Sequence, residues 1–248
     1  MGVVTNIKVI LEYDGTDFYG FQKQPSRPTI QGELERALSQ IFHGETVKVV
    51  GAGRTDAGVH AVGQVINFHA PRAFPVEQIC PALNGNLPTS IRAKYAEVVP
   101  PDFHARYSAV ARTYVYVILN RATPSAFLAR YTWWLSSALD VEAMCLAGRL
   151  LVGIHDFASF GLPDKPGAST VRQIYDFRIA RRKDTLFVVI RANAFLKGMA
   201  RAIVGTLVRI GQGKLRPEDI RDILNARNRR AAGISAPPQG LFLTRVDY

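Results

Sequence analysis

The sequence predicts an α+β protein made of two tandem ferredoxin-like units, each with the element order β-α-β-β-α-β. This prediction depends on two observations. The same order of strand-like and helix-like patterns occurs twice along the chain, and 248 residues with 48% hydrophobic content suit two compact units. We place the boundary near residues 106–108, which gives an N-terminal domain over 1–107 and a C-terminal domain over 108–248. We expect the two sheets to meet edge to edge around a central cleft, and ligand sites favour such junctions.

The first half of the chain alternates between strand and helix periodicity. Its first helix has Ile30, Leu34 and Leu38 on one face, at the spacing of an amphipathic helix. A glycine-rich loop separates two of the strands. The predicted elements are a strand Ile7–Tyr13, a helix Thr29–Phe42, strands Val47–Val50 and Gln64–His69, a helix Val76–Leu83 and a strand Ile91–Val98.

The second half repeats this order. Its first strand places Tyr114 and Tyr116 on one face and apolar residues on the other, so that one face is aromatic. The predicted elements are a strand Ala109–Leu119, a helix from its Asp140 cap to about Leu151, strands Val171–Ala180 and Leu186–Ala192, a helix from about Leu196 to Ile210, a short helix from Pro217 to about Asn225 and a last strand Leu241–Val246.

The charge of the chain indicates a polyanionic partner. The 31 Lys and Arg residues exceed the 20 Asp and Glu residues, for a net charge of +11. Residues 172–230 hold 15 basic and 5 acidic residues, a balance of +10. Concentrated basic charge is typical of nucleic-acid binding, although a merely solvated basic surface has the same composition.

Other classes of protein are disfavoured by composition. No apolar run is long enough to span a bilayer, and residues 1–13 lack the layout of a signal peptide. Two cysteines, Cys80 and Cys145, are too few for a disulfide framework or a zinc finger. We therefore expect a cytoplasmic protein in which both cysteines are small, reduced core residues.

The loop before the third strand carries the most informative residues. Asp56 and Arg54 lie among four glycines, and an apolar strand follows. Glycine permits sharp turns and the close approach of a large ligand. The alternative interpretation is an ordinary turn, in which the aspartate caps a neighbouring amide and the arginine is solvated.

Residues 53–61, Gly-Arg-Thr-Asp-Ala-Gly-Val-His-Ala, closely resemble the catalytic loop of the TruA-type tRNA pseudouridine synthases. Phe21 stands where that family usually has Trp, and Ala200 and Ala202 flank Arg201 where it often has Val and Asn; we interpret these differences as packing variation. Further strings resemble the family's signatures in the same order, at residues 13–22, 29–35, 102–106, 112–116, 155–160, 194–201, 240–243 and 246–248.

The resemblance implies roles for individual residues. It implies that Asp56 is the nucleophile, that Arg201 pairs with it, and that Tyr114 stacks on the target base and assists proton removal. Without the resemblance, Arg201 would read as a solvated helix residue and Tyr114 equally well as a cross-strand aromatic. We assign no chemical role to His60 or His104. The candidates for gripping the RNA backbone, on charge and position, are Arg54, Arg106, Arg112, Lys197 and Arg181.

The implied reaction is the isomerisation of uridine to pseudouridine in tRNA, on the 3′ side of the anticodon stem-loop, by a homodimer. It needs no cofactor, which fits the lack of a phosphate-binding loop, dinucleotide fingerprint or metal cluster in the sequence. Whether Asp56 attacks the base, attacks the sugar or removes a sugar proton is open. The alternatives are an RNA-binding protein without catalysis and a glycoside hydrolase, although a hydrolase usually has two working carboxylates.

Overall fold

The computed structural model describes residues 5–248. By its internal contacts the chain divides into two compact units. The first contains residues 5–110 together with Leu243–Tyr248, and the second contains Ala111–Phe242. The functional division at 1–107 and 108–248 stays a prediction, and its first four residues lie outside the described part.

The first unit has the expected β-α-β-β-α-β order. Strand β1 is antiparallel to both β3 and β4, so that Val9 lies opposite Ile66 on one side and Ala96 on the other. The short strand β2 pairs with β3. The elements are β1 (Thr5–Tyr13), α1 (Ile30–Ile41), β2 (Val50–Gly51), β3 (His60–Ala70), α2 (Val76–Asn86) and β4 (Ile91–Val98).

Helix α1 matches its prediction to within one residue at each end. The hydroxyl of Thr29 accepts a hydrogen bond from the amide of Gly32, which satisfies one of the amides left unpaired at the helix start. The predicted strand Val47–Val50 is wrong except for its last residue. Val49 is buried, and its amide donates to Glu35 while its carbonyl accepts from Gln31, so α1 side chains replace the strand partner.

The second unit repeats the strand pairing of the first. Strand β5 is antiparallel to β9, and β9 is antiparallel to β8, as β1 pairs with β3 and β3 with β2. The α+β fold of two ferredoxin-like units is confirmed. The elements are β5 (Ala111–Asn120), β6 (Trp133–Leu135), α3 (Val141–Arg149), β7 (Gly153–Asp156), β8 (Val171–Arg182), β9 (Thr185–Ala192), α4 (Met199–Gly211) and α5 (Asp219–Ala226). The last strand, β10 (Leu241–Asp247), begins in the second unit, and its residues from Leu243 onward belong to the first.

Three features of the second unit differ from the prediction. Strands β6 and β7 were not predicted, because segments of three and four residues are too short to display an alternating pattern. Helix α4 begins at Met199 rather than Leu196, since Gly198 has a φ of 76° and interrupts the helical conformation. Lys197 therefore precedes the helix, where its backbone pairs with that of Leu162.

The structure also bears on the expectations for membranes and cysteines. Across residues 5–248, none of the helices combines the length and apolar character needed to cross a membrane. Cys80 and Cys145 are free thiols, but they are half-buried rather than core residues, which corrects that expectation. Burial raises the pKa of both thiols.

Candidate active site

The loop between β2 and β3 holds Asp56 in a defined backbone conformation. The amide of Val59 donates to the carbonyl of Asp56 at 3.1 Å, which closes a turn immediately after the carboxylate residue. Gly58 lies inside this turn with a φ of 74°, a conformation that favours glycine. The Asp56 side chain is half-buried, whereas Arg54 is exposed.

A buried polar network lies directly before Asp56. The hydroxyls of Tyr13 and Thr55 are 2.8 Å apart, and the amide nitrogen of Gln64 donates to the Tyr13 hydroxyl at 3.3 Å and to the Gly53 carbonyl at 2.9 Å. Burial raises the pKa of Tyr13 to about 12, although its two hydrogen bonds act in the opposite direction. The Tyr13 hydroxyl is therefore neutral at physiological pH.

The segment between β1 and α1 packs onto this loop. The amide of Phe21 donates to the carbonyl of Thr55 at 3.0 Å. A Cβ atom at Gly15 would lie 2.0 Å from the Val59 carbonyl oxygen, and one at Gly20 would lie 2.6 Å from the Thr55 carbonyl oxygen. Only glycine fits such close approaches of two main chains, so the signature at residues 13–22 and the Asp56 loop form one structure.

Phe21 is part of the same packing. Its side chain is 3% exposed. A Cβ atom at Gly51 would lie 2.4 Å from the ring, so the ring packs directly on β2 at the entrance to the loop. Phe21 therefore packs beneath the loop.

His60, at the end of the loop, is held inside the first unit. It is 1% exposed. Its Nδ1 atom lies 3.0 Å from the amide nitrogen of Gly15 and 3.2 Å from a carboxylate oxygen of Asp14. These contacts tie β3 to the segment after β1, which is a structural role.

In the second unit, Tyr114 lies on the buried face of β5. Its side chain is 8% exposed, and the edge of its ring meets Phe195 with the ring centroids 4.8 Å apart and the planes at 75°. This geometry is favourable for aromatic pairs and fixes the plane of the tyrosine ring. The sequence had indicated Phe195 only as part of a matching string, not as the neighbour of Tyr114.

Tyr116 extends the aromatic face of β5. It is 1% exposed, and its hydroxyl donates to the carbonyl of Pro237 at 2.7 Å. Burial raises the pKa of Tyr116 above the ordinary value, while the positive charge of Arg201 acts in the opposite direction. The aromatic face predicted from alternation is therefore the buried face of the strand.

Arg201 lies in the first turn of α4 and is anchored to the segment that precedes β10. Its Nε atom donates to the carbonyl of Ala236 at 2.7 Å, and the amide of Ala236 donates back to the carbonyl of Arg201 at 2.9 Å. The bond through Nε sets the plane of the guanidinium group. No sequence signal had pointed to Ala236, because the partner is a main-chain group.

The remaining candidate cations have different surroundings. Arg112 is buried at 9% exposure, and its Nη1 atom donates to the Asn193 carbonyl at 2.8 Å. Arg106 is half-buried with its guanidinium 5.9 Å from the Tyr107 ring. Lys197 is exposed, as is Arg181, whose Nε donates to a main-chain carbonyl in the β8–β9 turn.

The candidate residues are thus distributed over both units. Asp56, Arg54 and Arg106 belong to the first unit, and the others belong to the second unit. Within residues 5–248, no group of three or more His, Cys, Asp or Glu side chains is placed to hold a metal ion.

Comparison with known proteins gives consistent matches along the chain. A family model described as tRNA pseudouridine synthase matches residues 9–108 and 147–248. A relative from Halalkalibacterium halodurans, named tRNA pseudouridine synthase A, is 47% identical over 235 residues, which cover 95% of this chain and 89% of the relative.

Two further relatives carry the same name. The protein of Moorella thermoacetica is 46% identical over 98% of this chain and 99% of its own length. That of Thermoanaerobacter pseudethanolicus is 42% identical over the same shares. Among solved structures, the archaeal box H/ACA sRNP Nop10-Cbf5 complex matches with a TM-score of 0.35 and 12% identity, over 82% of this chain and 44% of the other.

Proposed function

The chain belongs to the tRNA pseudouridine synthase family and is an isomerase that acts on uridine in tRNA, and we propose that Asp56 is its nucleophile. The observation that carries this proposal is the construction of the Asp56 loop. Thr55, directly before Asp56, and the main-chain carbonyl of Asp56 itself are held by hydrogen bonds, while Asp56 is half-buried rather than sealed in the core. A fixed and accessible carboxylate is what nucleophilic catalysis needs.

The proposed reaction is an internal rearrangement of the nucleotide. The C1′–N1 glycosidic bond breaks, the uracil turns, and a C5–C1′ bond forms in its place. The proton on C5 leaves, and N1 gains one, so no electrons are exchanged. A carboxylate that adds to the nucleotide and later departs divides this rearrangement into two easier steps, and Asp56 is regenerated at the end.

We assign Arg201 to the same site as the partner of Asp56. Its guanidinium plane is set by the bond from Nε to Ala236, so its terminal nitrogens keep one direction. A guanidinium so fixed forms a directional, charge-assisted contact with a carboxylate and favours its ionised form. We therefore propose that the terminal nitrogens of Arg201 pair with Asp56 during catalysis.

Tyr114 is the proposed platform for the target base. An extruded uridine loses stacking worth a few kcal/mol, and an aromatic side chain restores part of it. Phe195 holds the Tyr114 ring in one plane, which suits this role. The Tyr114 hydroxyl is then our candidate for assisting removal of the C5 proton.

The tRNA backbone is the proposed ligand of the basic side chains. Phosphate contacts dominate the affinity of proteins for nucleic acids, and residues 172–230 alone contribute a charge of +10. The resemblance further suggests a target on the 3′ side of the anticodon stem-loop and a homodimer, and the composition of the chain suggests a cytoplasmic location. The proposed backbone contacts are Arg54, Arg106, Arg112 and Lys197.

Mapping of modified uridines in tRNA treated with the purified protein tests this proposal. We expect pseudouridine on the 3′ side of the anticodon stem-loop and release of tritium from C5-labelled uridine. Binding of tRNA with no release of tritium would mean an RNA-binding protein without catalysis. Free uracil would mean a glycoside hydrolase, and pseudouridine elsewhere in the tRNA would overturn the proposed target.

A further inference from the structure

We infer that Tyr13 and Gln64 are positioning residues for Asp56, acting through Thr55 and Gly53. Neither side chain is proposed to touch the nucleotide. The inference rests on the proposed function, because it concerns how the proposed nucleophile is held.

The Gln64 side chain links Gly53 to Tyr13. One N–H of the Gln64 amide donates to the Gly53 carbonyl at 2.9 Å and the other donates to the Tyr13 hydroxyl at 3.3 Å. The Tyr13 hydroxyl, which accepts this hydrogen, lies 2.8 Å from the Thr55 hydroxyl, and one of the two hydroxyls donates to the other. The Gln64 carbonyl oxygen accepts from the amide of Val65 at 3.2 Å, so every polar group of the glutamine is used.

Because these side chains are buried, any arrangement that breaks their hydrogen bonds is disfavoured. Gln64 is 0% exposed, Tyr13 is 4% exposed and Thr55 is 6% exposed. A buried polar group without a partner is destabilising, so each of the three side chains restricts the others to one orientation. Since burial raises the pKa of Tyr13 to about 12, its hydroxyl stays protonated at physiological pH and its hydrogen bond with Thr55 is kept.

The network ends at the residues that determine where Asp56 lies. Gly53 and Thr55 flank Arg54, and Thr55 directly precedes Asp56. The Thr55 carbonyl is separately held by the amide of Phe21 at 3.0 Å, so the peptide that leads into Asp56 is fixed at its side chain and at its main chain. A displacement of about 1 Å at a catalytic group is enough to lower a rate about 100-fold.

The first test compares variants that remove or keep single hydroxyls. Tyr13→Phe and Thr55→Val keep the shape of the buried side chain and remove the hydrogen bond, whereas Thr55→Ser keeps the hydroxyl. We expect the single-turnover rate of tritium release to fall about 10- to 100-fold in the first two variants and to stay within about threefold of wild type in Thr55→Ser. The affinity for tRNA should stay within about threefold in all of them.

A stability control separates positioning from general destabilisation. Asp140 caps α3 in the second unit through a hydrogen bond from the amide of Ala143 at 2.9 Å. Asp140→Ala should lower the melting temperature by several degrees and leave the tritium-release rate unchanged. If Tyr13→Phe and Thr55→Val lose no more rate than Asp140→Ala, the positioning role is excluded.

A double variant and the nucleophile variant complete the design. Because the two hydroxyls act as one unit, Tyr13→Phe combined with Thr55→Val should lose no more rate than either single change. Additive losses would contradict the shared action.

The Asp56→Asn variant distinguishes the two proposals. Full activity of this variant would overturn the assignment of Asp56 as the nucleophile. An inactive Asp56→Asn variant beside fully active hydroxyl variants would overturn only the positioning role of Tyr13 and Gln64. Thr55→Val alone decides the matter if Tyr13→Phe does not fold.

Discussion

Arg201 and Ala236 exchange two hydrogen bonds, one from the arginine side chain to the Ala236 carbonyl and one from the Ala236 amide to the Arg201 carbonyl. A second contact holds the segment before β10 against α4: the hydroxyl of Thr206, on the helix, donates to the carbonyl of Ala232, in the segment. The direction of the guanidinium group is therefore set by main-chain atoms. A substitution in this segment is expected to move Arg201 without altering its charge.

Replacement of Arg201 by Met should lower the rate of tritium release by about 100-fold or more, because the charge proposed to pair with Asp56 is lost. Affinity for tRNA should change only a few-fold. Arg209→Met is the matched control, since it removes the same charge from the last turn of the same helix. A near-normal rate in Arg201→Met, measured beside this control, would rule out the ion-pair role.

Replacement of Gly205 by Ala should destabilise the protein by about 2 kcal/mol. The new Cβ atom would lie 2.1 Å from the Ile234 carbonyl oxygen, so the segment before β10 would have to move away from α4. Urea unfolding measures the change. Gly85→Ala is the control, because no atom lies within 4 Å of its added Cβ and alanine is the better helix former. Equal stability of the two variants would mean that the segment is loosely held.

Replacement of Tyr114 by Phe should separate its two proposed functions. The ring and its contact with Phe195 remain, so tRNA affinity should stay within a few-fold. The rate of tritium release should fall about 10- to 100-fold, since positioned proton transfer contributes at least this much. Tyr114→Ala should lower affinity as well as rate. An unchanged rate in Tyr114→Phe would leave the residue only a stacking role.

Alkaline pH should destabilise the protein through Tyr13. Its pKa is 10.0 in the reference state and about 12 in the folded protein, so the folded state holds the proton more tightly. The contribution of this group to the free energy of unfolding is therefore fully present below pH 10. It is lost as the pH rises to 12, and the loss is about 3 kcal/mol. Urea unfolding at several pH values should show a shallower decline for Tyr13→Phe. Identical declines would mean that the hydroxyl is not buried in solution.

The sequence predicted the elements whose signal is local. Strand β4 has the predicted bounds, and α3 has the predicted cap at Asp140. The prediction failed where hydrogen bonds come from distant residues: Val49 bonds to side chains of α1 instead of a strand. Of the candidate site, the identities of Asp56 and Arg201 followed from the resemblance, whereas the groups that hold them did not. Ala236 contributes only main-chain atoms, so its type carries no signal.

Tritium release by Asp56→Asn is the most direct test of the central claim, that this carboxylate performs the chemistry. The variant keeps nearly the same shape, and the hydrogen bonds to the carbonyls of Thr55 and Asp56 do not involve the altered group. We predict no tritium release above background together with tRNA affinity within a few-fold of wild type. Continued release near the wild-type rate would contradict the claim.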